Sequence, residues 1–235
     1  ADLVVTIFGA GILPCAIEFM DSMSINCVAD YLPTAESLIR RDAEALVLVE
    51  VDGNHEIATD YEARRIMDLS KGFSGVIEAK YAENDEQAEK LWRIRRDTLP
   101  ALKAKGKDHL EADVVVPRYR LPFLVRAIQE SVATKTVKVA TFGHAGDGNL
   151  HVTIQYRKRN FAELEEANEL LGDIYRKAIE MGGKLTGEHG VGITAKDYMK
   201  IQMSPAEIAL MKRIKYAFDP KGILNPGKIF PEESG

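Results

Sequence analysis

A glycine-rich hairpin signature with two histidines, residues 142–151, constrains the fold of this chain more than any other stretch. The segment reads Phe-Gly-His-Ala-Gly-Asp-Gly-Asn-Leu-His, and its inner glycines accept the positive φ angles of a tight reversal. Residues 137–142 are β-branched and apolar, whereas apolar and polar residues alternate over residues 150–155. The pattern predicts two strands whose connecting turn brings His144 and His151 together, with His151 on the polar face of its strand.

A second short cluster supplies one more carboxylate and one more imidazole. Residues 186–192 read Thr-Gly-Glu-His-Gly-Val-Gly and contain Glu188 beside a histidine. Two histidines and a carboxylate, here His144, His151 and Glu188, are sufficient to hold a catalytic zinc or similar divalent ion with an open coordination position. The alternative is that the small polar residues form ordinary turns. Neither cluster matches a glycine-rich phosphate loop, which disfavours a nucleotide phosphate as the ligand.

Composition excludes several classes of protein. The chain has 235 residues, of which 46% are hydrophobic and 29% charged, so it is globular and forms one large domain or two small ones. A net charge of −5 disfavours nucleic acid and anionic membrane surfaces as partners. The only cysteines, Cys15 and Cys27, are expected to be reduced thiols. Residues 3–17 are interrupted by glycine and proline, so we expect no targeting segment, no transmembrane segment and a cytoplasmic location.

Short strands and longer helices alternate along the chain. Strands are expected at residues 4–8, 16–20, 45–51, 74–79 and 114–116, in addition to the hairpin. Helices are expected at residues 55–70, from Asn84 to an end or kink at Pro100, from Pro122 to Val132, from Phe161 to Ala178, and from Ser204 to Asp219. This pattern predicts an α+β fold in which helices cover an antiparallel sheet.

The two loops belong to a longer set of motifs. With residues 219–228, which contain Asp-Pro and Leu-Asn-Pro-Gly-Lys, they resemble in order three signatures of the C-terminal domain of FAD-linked 2-hydroxyacid dehydrogenases, the type of glycolate oxidases and flavin-dependent D-lactate dehydrogenases. Residues 17–21 and 91–96 also resemble that domain, so the resemblance covers nearly the whole chain. It implies one ferredoxin-like cap domain over residues 1–235. In the family a helix normally follows the first strand, so a tight hairpin at Gly9 is not expected.

The resemblance implies oxidation of a small 2-hydroxy acid, such as glycolate or D-lactate, to the 2-oxo acid. The FAD cofactor would be held mainly by an FAD-binding domain that this chain lacks, so the chain alone is expected to be inactive. A divalent metal, expected to be zinc, would bind the substrate's hydroxyl and carboxylate oxygens through the His/His/Glu set. His189 is then the candidate base, and its alternative is a loop histidine that only donates to backbone.

Two further site residues follow from family position. Arg95 would grip the substrate carboxylate with its planar fork, whereas Arg93 and Arg96 are expected to be solvated. Asn225 resembles the residue that reaches towards the flavin, although a turn-forming Asn-Pro-Gly accounts for the same sequence. Leu99 and Glu111 stand where a dicarboxylate-specific relative offers a threonine and a lysine. A monocarboxylate is therefore expected to be preferred over a dicarboxylate such as 2-hydroxyglutarate.

Competing functions remain open at the level of sequence. The same His/His/Glu set would suit a free-standing divalent-metal hydrolase, and the chain could also be a catalytically silent binding module. The resemblance favours the oxidoreductase, since a hydrolase has no use for a segment that faces a flavin. It also implies an FAD-binding domain and an iron–sulfur electron-transfer subunit as partners, with attachment to the membrane only through such subunits.

Overall fold

A five-stranded antiparallel sheet forms the centre of the protein in a computed structural model, which describes residues 1–35 and 37–231. The strands are Ala16–Asp21 (β1), Ala45–Glu50 (β2), Asp108–Val115 (β3), Lys138–His144 (β4) and Asn149–Tyr156 (β5). They lie in the order β2-β1-β4-β5-β3, and every pair of neighbours is antiparallel. The sequence-based prediction of an α+β fold with an antiparallel sheet is therefore confirmed.

Helices cover both faces of this sheet. They are Asp2–Gly9 (α1), Ser22–Tyr31 (α2), Glu56–Lys71 (α3), Asp85–Arg96 (α4), Thr98–Ala104 (α5), Leu121–Val132 (α6), Phe161–Glu180 (α7), Met199–Gln202 (α8) and Pro205–Phe218 (α9). Buried residues of α1, α3, α6 and α7 form one core cluster with the sheet, and buried residues of α2, α4 and α5 form a second. No helix within the described ranges combines the length and apolar character needed to span a bilayer.

Two predicted strands are absent. Residues 4–8 belong to helix α1, because Val4 and Ile7 lie one helical turn apart and are both fully buried against the core. Their β-branched and aromatic neighbours favour a strand, and tertiary packing overrides that propensity. Residues 74–79 form no strand, since Val76 and Ile77 are exposed and no neighbouring strand pairs with them.

The helix boundaries follow the predicted capping chemistry. The Asn84 side chain accepts a hydrogen bond from the Gln87 N–H, and Ser204 and Glu207 form a complete capping box at the start of α9. The predicted break before Pro100 occurs earlier, at Asp97, where α4 ends and α5 begins. Proline is tolerated there because it occupies the first turn of α5, where backbone N–H groups lack intrahelical partners.

Candidate functional site

The sheet register brings four ionisable side chains to one face. His144 in β4 lies directly opposite Glu18 in β1, and His151 in β5 lies opposite Asp113 in β3. Side chains alternate between faces along a strand, and the residues on either side of His151 pack into the core of the opposite face. Glu18, Asp113, His144 and His151 therefore share the face covered by α2, α4 and α5. His151 therefore lies on the polar face of its strand, as predicted. Because helices cover that face, the His151 side chain is buried.

The hairpin turn requires glycine at two positions. Gly143 has φ of 153° and Gly148 has φ of 76°. A Cβ atom on Gly148 would lie 2.0 Å from the carbonyl oxygen of Val116, and one on Gly143 would lie 2.6 Å from that of Asn149. Neither contact is tolerable, so the absence of a side chain lets the turn approach the neighbouring backbone and fixes the positions of both histidines.

One buried carboxylate holds the second loop against the hairpin. The Oδ2 atom of Asp113 accepts hydrogen bonds from the Thr186 hydroxyl at 2.8 Å and from the backbone N–H groups of Gly187, Glu188 and His189 at 3.0, 3.0 and 2.8 Å. Burial raises the pKa of the Asp113 carboxyl, but the N–H groups of His189 and Glu188 and the Thr186 hydroxyl outweigh it, so the net pKa is lowered. Asp113 therefore stays ionised and anchors the loop.

The predicted metal ligands meet at one point. The Oε1 atom of Glu188 lies 3.3 Å from Nε2 of His151 and 3.5 Å from Nε2 of His144. The three candidate ligand atoms all lie within 4.8 Å of one another. Ligand atoms about 2.1 Å from a tetrahedral zinc ion lie about 3.4 Å apart, so this arrangement fits such an ion. A second grouping of Asp113, His151 and His189 shares one histidine with the first, but Oδ2 of its carboxylate is already occupied by the loop, which leaves Oδ1 alone for a metal ion.

The environments of the two hairpin histidines differ. Nδ1 of His144 lies 2.7 Å from Oε1 of Glu18; this hydrogen bond raises the pKa of His144, and burial opposes it. Burial lowers the pKa of His151 to about 4, although the Asp113 charge opposes the shift. Nδ1 of His151 is 3.7 Å from Oδ1 of Asp113, and that buried oxygen has no hydrogen-bond partner. At neutral pH His151 is therefore neutral, the form that binds a metal ion.

Arg95 enters the site from α4. Its Nε atom donates to Oε2 of Glu18 at 2.6 Å, and its guanidinium carbon lies 5.1 Å from the centre of the Phe142 ring. The Arg95 side chain is 13% exposed, whereas those of Arg93 and Arg96 are 58% and 52% exposed and pair with acidic residues on their own helix. These exposures agree with the predicted distinction between one buried and two solvated arginines, but Arg96 also lines the cavity described next.

A cavity of about 290 Å³ lies between this sheet face and helices α4 and α5. Its lining includes Arg95, Leu99 and Glu111 together with three histidines, His144, His151 and His189. Oε1 of Glu111 is buried without a hydrogen-bond partner and lies 3.4 Å from Nε2 of His109. Both residues predicted to discriminate between substrates thus line the same cavity as two of the three predicted metal ligands, His144 and His151. Trp92 also lines it.

The remaining two predicted site residues occupy different surroundings. The ring of His189 stacks on that of His151, with centroids 5.0 Å apart, and its side chain is 56% exposed. Asn225 is exposed in a turn with φ of 46° and does not line the cavity. The structure therefore brings five of the six predicted residues together and leaves the sixth on the surface, where a flavin-facing role stays a prediction.

Sequence reasoning assigned no role to Glu18 or Asp113. Each is an acidic residue within a predominantly apolar strand, in the segments Ala-Ile-Glu-Phe-Met and Glu-Ala-Asp-Val-Val, and each is less than one-tenth exposed. Buried carboxylates are rare unless they are paired. An acidic residue between two apolar residues, within or immediately before a predicted strand, is therefore the signal that could have identified both.

Comparison with known proteins finds relatives of this chain over most of its length. The family described as FAD linked oxidases, C-terminal domain, matches residues 1–229. The glycolate oxidase subunit GlcD of Bacillus subtilis is 36% identical over 100% of this chain and 49% of that protein. GlcD of Escherichia coli K12 is 33% identical over 96% of this chain and 44% of that protein. The D-lactate dehydrogenase of Anaerostipes hadrus is 30% identical over 92% and 46%.

The chain spans about half the length of the curated relatives it matches. Among solved structures, 4-ethylphenol oxidase from Gulosibacter chungangensis superimposes with a TM-score of 0.62 at 15% identity, covering 98% of this chain and 52% of that one. At this identity the likeness concerns the fold alone, and it agrees with the α+β architecture described above.

Proposed function

The chain belongs to the family of C-terminal domains of FAD-linked oxidases, and on that premise we propose that it binds the substrate and a divalent metal ion in an FAD-dependent 2-hydroxyacid dehydrogenase. The proposed reaction oxidises glycolate, D-lactate or another small 2-hydroxy acid to the 2-oxo acid. One observation carries the proposal: the guanidinium of Arg95 and the imidazoles of His144 and His151 face the same cavity.

The proposed ligands of the metal are His144, His151 and Glu188, whose spacing fits a tetrahedral zinc ion. When bound, the ion supplies Lewis acidity to the substrate's hydroxyl. Three protein ligands leave a coordination position open, which is the arrangement of catalytic zinc sites. The flavin supplies the electron acceptor. A cavity of about 290 Å³ suits a small acid and not a whole dinucleotide, so we propose that FAD is held mainly outside this chain.

The chain's own residues would bind the substrate and remove one proton. Arg95 has its Nε atom held by Glu18, and the terminal nitrogens of its fork are left for a carboxylate. His189 lines the cavity beside the metal ligands and is the proposed acceptor of the hydroxyl proton. Its ring nitrogens lie 3.5 Å from Glu188 and 3.9 Å from Asp113, too far for strong hydrogen bonds, so a ring nitrogen is left for a substrate.

The lining of the cavity supports a monocarboxylate as substrate. Glu111 would repel a second carboxylate at the far end of a substrate, and Leu99 offers it no hydrogen bond. Small unbranched acids such as glycolate and D-lactate avoid both penalties. The name of the GlcD relatives describes a subunit of a larger oxidase, so we also propose that this protein works with further subunits, among them an iron–sulfur electron-transfer subunit.

Ligand binding tests the proposal without the redox reaction. We expect glycolate to bind the zinc-loaded chain in isothermal titration calorimetry, and the Arg95→Ala variant to bind it at least about tenfold more weakly, because a buried charge-assisted pair is lost. Arg93→Ala is the matched control, because Arg93 precedes Arg95 by two positions in α4 and its side chain is 58% exposed. This variant should bind glycolate like the wild type. Equal affinities in all three proteins would refute the assignment of Arg95 and of the cavity.

A further inference from the structure

We propose that Glu18 is a positioning residue that couples the substrate-binding Arg95 to the metal ligand His144. This inference rests on the proposed function and adds a residue for which sequence reasoning had no role. Glu18 lines the same cavity, and its two carboxylate oxygens are engaged by Arg95 and His144. Its role is to hold these two groups.

The two carboxylate oxygens of Glu18 contact two different partners. Oε1 lies 2.7 Å from Nδ1 of His144, and Oε2 accepts from Nε of Arg95 at 2.6 Å. The carboxylate is 5% exposed and belongs to the inner strand β1, directly opposite His144 in the central strand β4. Because the backbone register fixes that pairing, the carboxylate has little freedom to leave either partner.

The contact with His144 selects which ring nitrogen faces the metal position. A carboxylate accepts only, so Nδ1 of His144 carries the hydrogen that is shared with Glu18. Nε2 then presents its lone pair towards Glu188, 3.5 Å away. Carboxylates that accept from the second nitrogen of a ligating histidine fix its tautomer and orientation, and they raise its basicity as a ligand.

The contact with Arg95 orients the other half of the site. The bond to Nε holds the guanidinium plane over the Phe142 ring, which lies 5.1 Å from the guanidinium carbon. In the part of the chain that the structure describes, no carboxylate other than Glu18 pairs with Arg95. The end of the fork away from Glu18 is therefore the end that faces the cavity and a substrate carboxylate.

A purely structural role is the competing explanation, since any buried ion pair leaves an uncompensated charge when one partner is removed. The two roles differ in what they predict for ligands. A structural role alters stability, whereas a positioning role also alters the affinity for zinc and, separately, the affinity for glycolate once zinc is saturating. Glu50 provides a matched control, because it lies on the adjacent strand β2 and accepts from Trp92 instead of from Arg95 or a metal ligand.

The experiment measures zinc affinity by competition with a chromophoric chelator, and glycolate affinity by calorimetry at saturating zinc, for the wild type, Glu18→Gln and Glu50→Gln. We expect Glu18→Gln to bind zinc roughly 10 to 100-fold more weakly, the loss typical of removing such a carboxylate. Its glycolate affinity should fall at least about tenfold, and both affinities of Glu50→Gln should stay within about twofold of the wild type.

A second measurement keeps the inference testable if Glu18→Gln does not fold. In the ¹⁵N imidazole spectrum of the zinc-loaded wild type, His144 should show a protonated Nδ1 and a metal-bound Nε2. A protonated Nε2, or ligand affinities of folded Glu18→Gln equal to those of the wild type, would overturn the role of Glu18. Failure of the wild type to bind zinc at all would instead contradict the proposed function.

Discussion

The Oδ2 atom of Asp113 lies 2.8 Å from the backbone nitrogen of His189, 76 residues further along the chain. This contact is one of four that a single buried oxygen accepts from the loop carrying Glu188 and His189. Strand β3 thereby determines where the candidate base and the carboxylate ligand stand relative to the histidine hairpin.

Replacing Asp113 by asparagine should loosen the loop at residues 186–192. An amide group has one acceptor oxygen and no charge, so the four bonds weaken and its NH₂ group faces the buried pocket near His151. We expect a loss of about 1 to 3 kcal/mol in the free energy of unfolding in urea and zinc binding at least about tenfold weaker. Asp108→Asn, at the other end of β3, is the control, and an Asp113→Asn variant with wild-type zinc affinity would contradict the anchoring role.

Removal of either hairpin histidine should abolish metal binding. Elemental analysis of the wild type after zinc loading and desalting should give about one zinc per chain, whereas His144→Ala and His151→Ala should retain less than about a tenth of that. His55→Ala is the control, because His55 is exposed at the start of α3 and far from the hairpin in sequence. Equal metal content in all four proteins would remove the site.

This chain alone should neither retain FAD nor oxidise a hydroxy acid. The cavity is too small for the dinucleotide, and neither glycine-rich loop has the spacing of a phosphate cradle. A purified and desalted sample should show no absorbance at the visible flavin bands and no turnover of D-lactate with an artificial electron acceptor. Stoichiometric flavin absorbance after desalting would show that the division of the cofactor site is wrong.

Reversing the charge at Glu111 should change the preference between mono- and dicarboxylates. In the zinc-loaded wild type we expect D-lactate to bind more tightly than D-2-hydroxyglutarate. Glu111→Lys should shift the ratio of the two dissociation constants towards the dicarboxylate by about tenfold or more, which requires only about 1.4 kcal/mol. Glu111→Gln removes the repulsion without adding an attraction and should fall between the two. An unchanged ratio in Glu111→Lys would exclude this residue from substrate selection.

The contribution of Glu163, in the first turn of α7, to the free energy of unfolding should decrease as the pH falls. Hydrogen bonds from the Arg157 side chain and backbone lower the pKa of Glu163. A carboxyl whose pKa is lower in the folded state stabilises the fold above its unfolded pKa, and that contribution is lost as the pH falls through the folded value. Glu163→Gln should therefore be less stable than the wild type near pH 7, with the difference shrinking towards about pH 3.

Urea denaturation at a series of pH values measures this difference. Glu165→Gln, a solvent-exposed neighbour on the same helix, serves as the control and should track the wild type at every pH. A gap between wild type and Glu163→Gln that stays constant with pH would show that the hydrogen bonds of Glu163 do not depend on its charge.

Local chemistry explains why much of this fold is predictable from sequence. The two-histidine hairpin, the Asn84 cap and the Ser204 capping box each depend on residues a few positions apart, and each is found where its pattern predicts it. The secondary-structure predictions that fail concern segments whose conformation depends on burial in the core. Residues 4–8 have strand-forming composition, yet they form a helix because Val4 and Ile7 pack together into the core.

The sequence by itself determined the antiparallel α+β class, the turn that pairs His144 with His151, and the set of residues able to hold a metal ion. Only the tertiary structure decided that Glu18 contacts His144 across 126 residues and that Asp113 holds the loop of His189. The physical reason is that strand pairing between distant segments sets these contacts, and no local pattern encodes which strands become neighbours. A buried carboxylate takes its role from the groups that the register places opposite it.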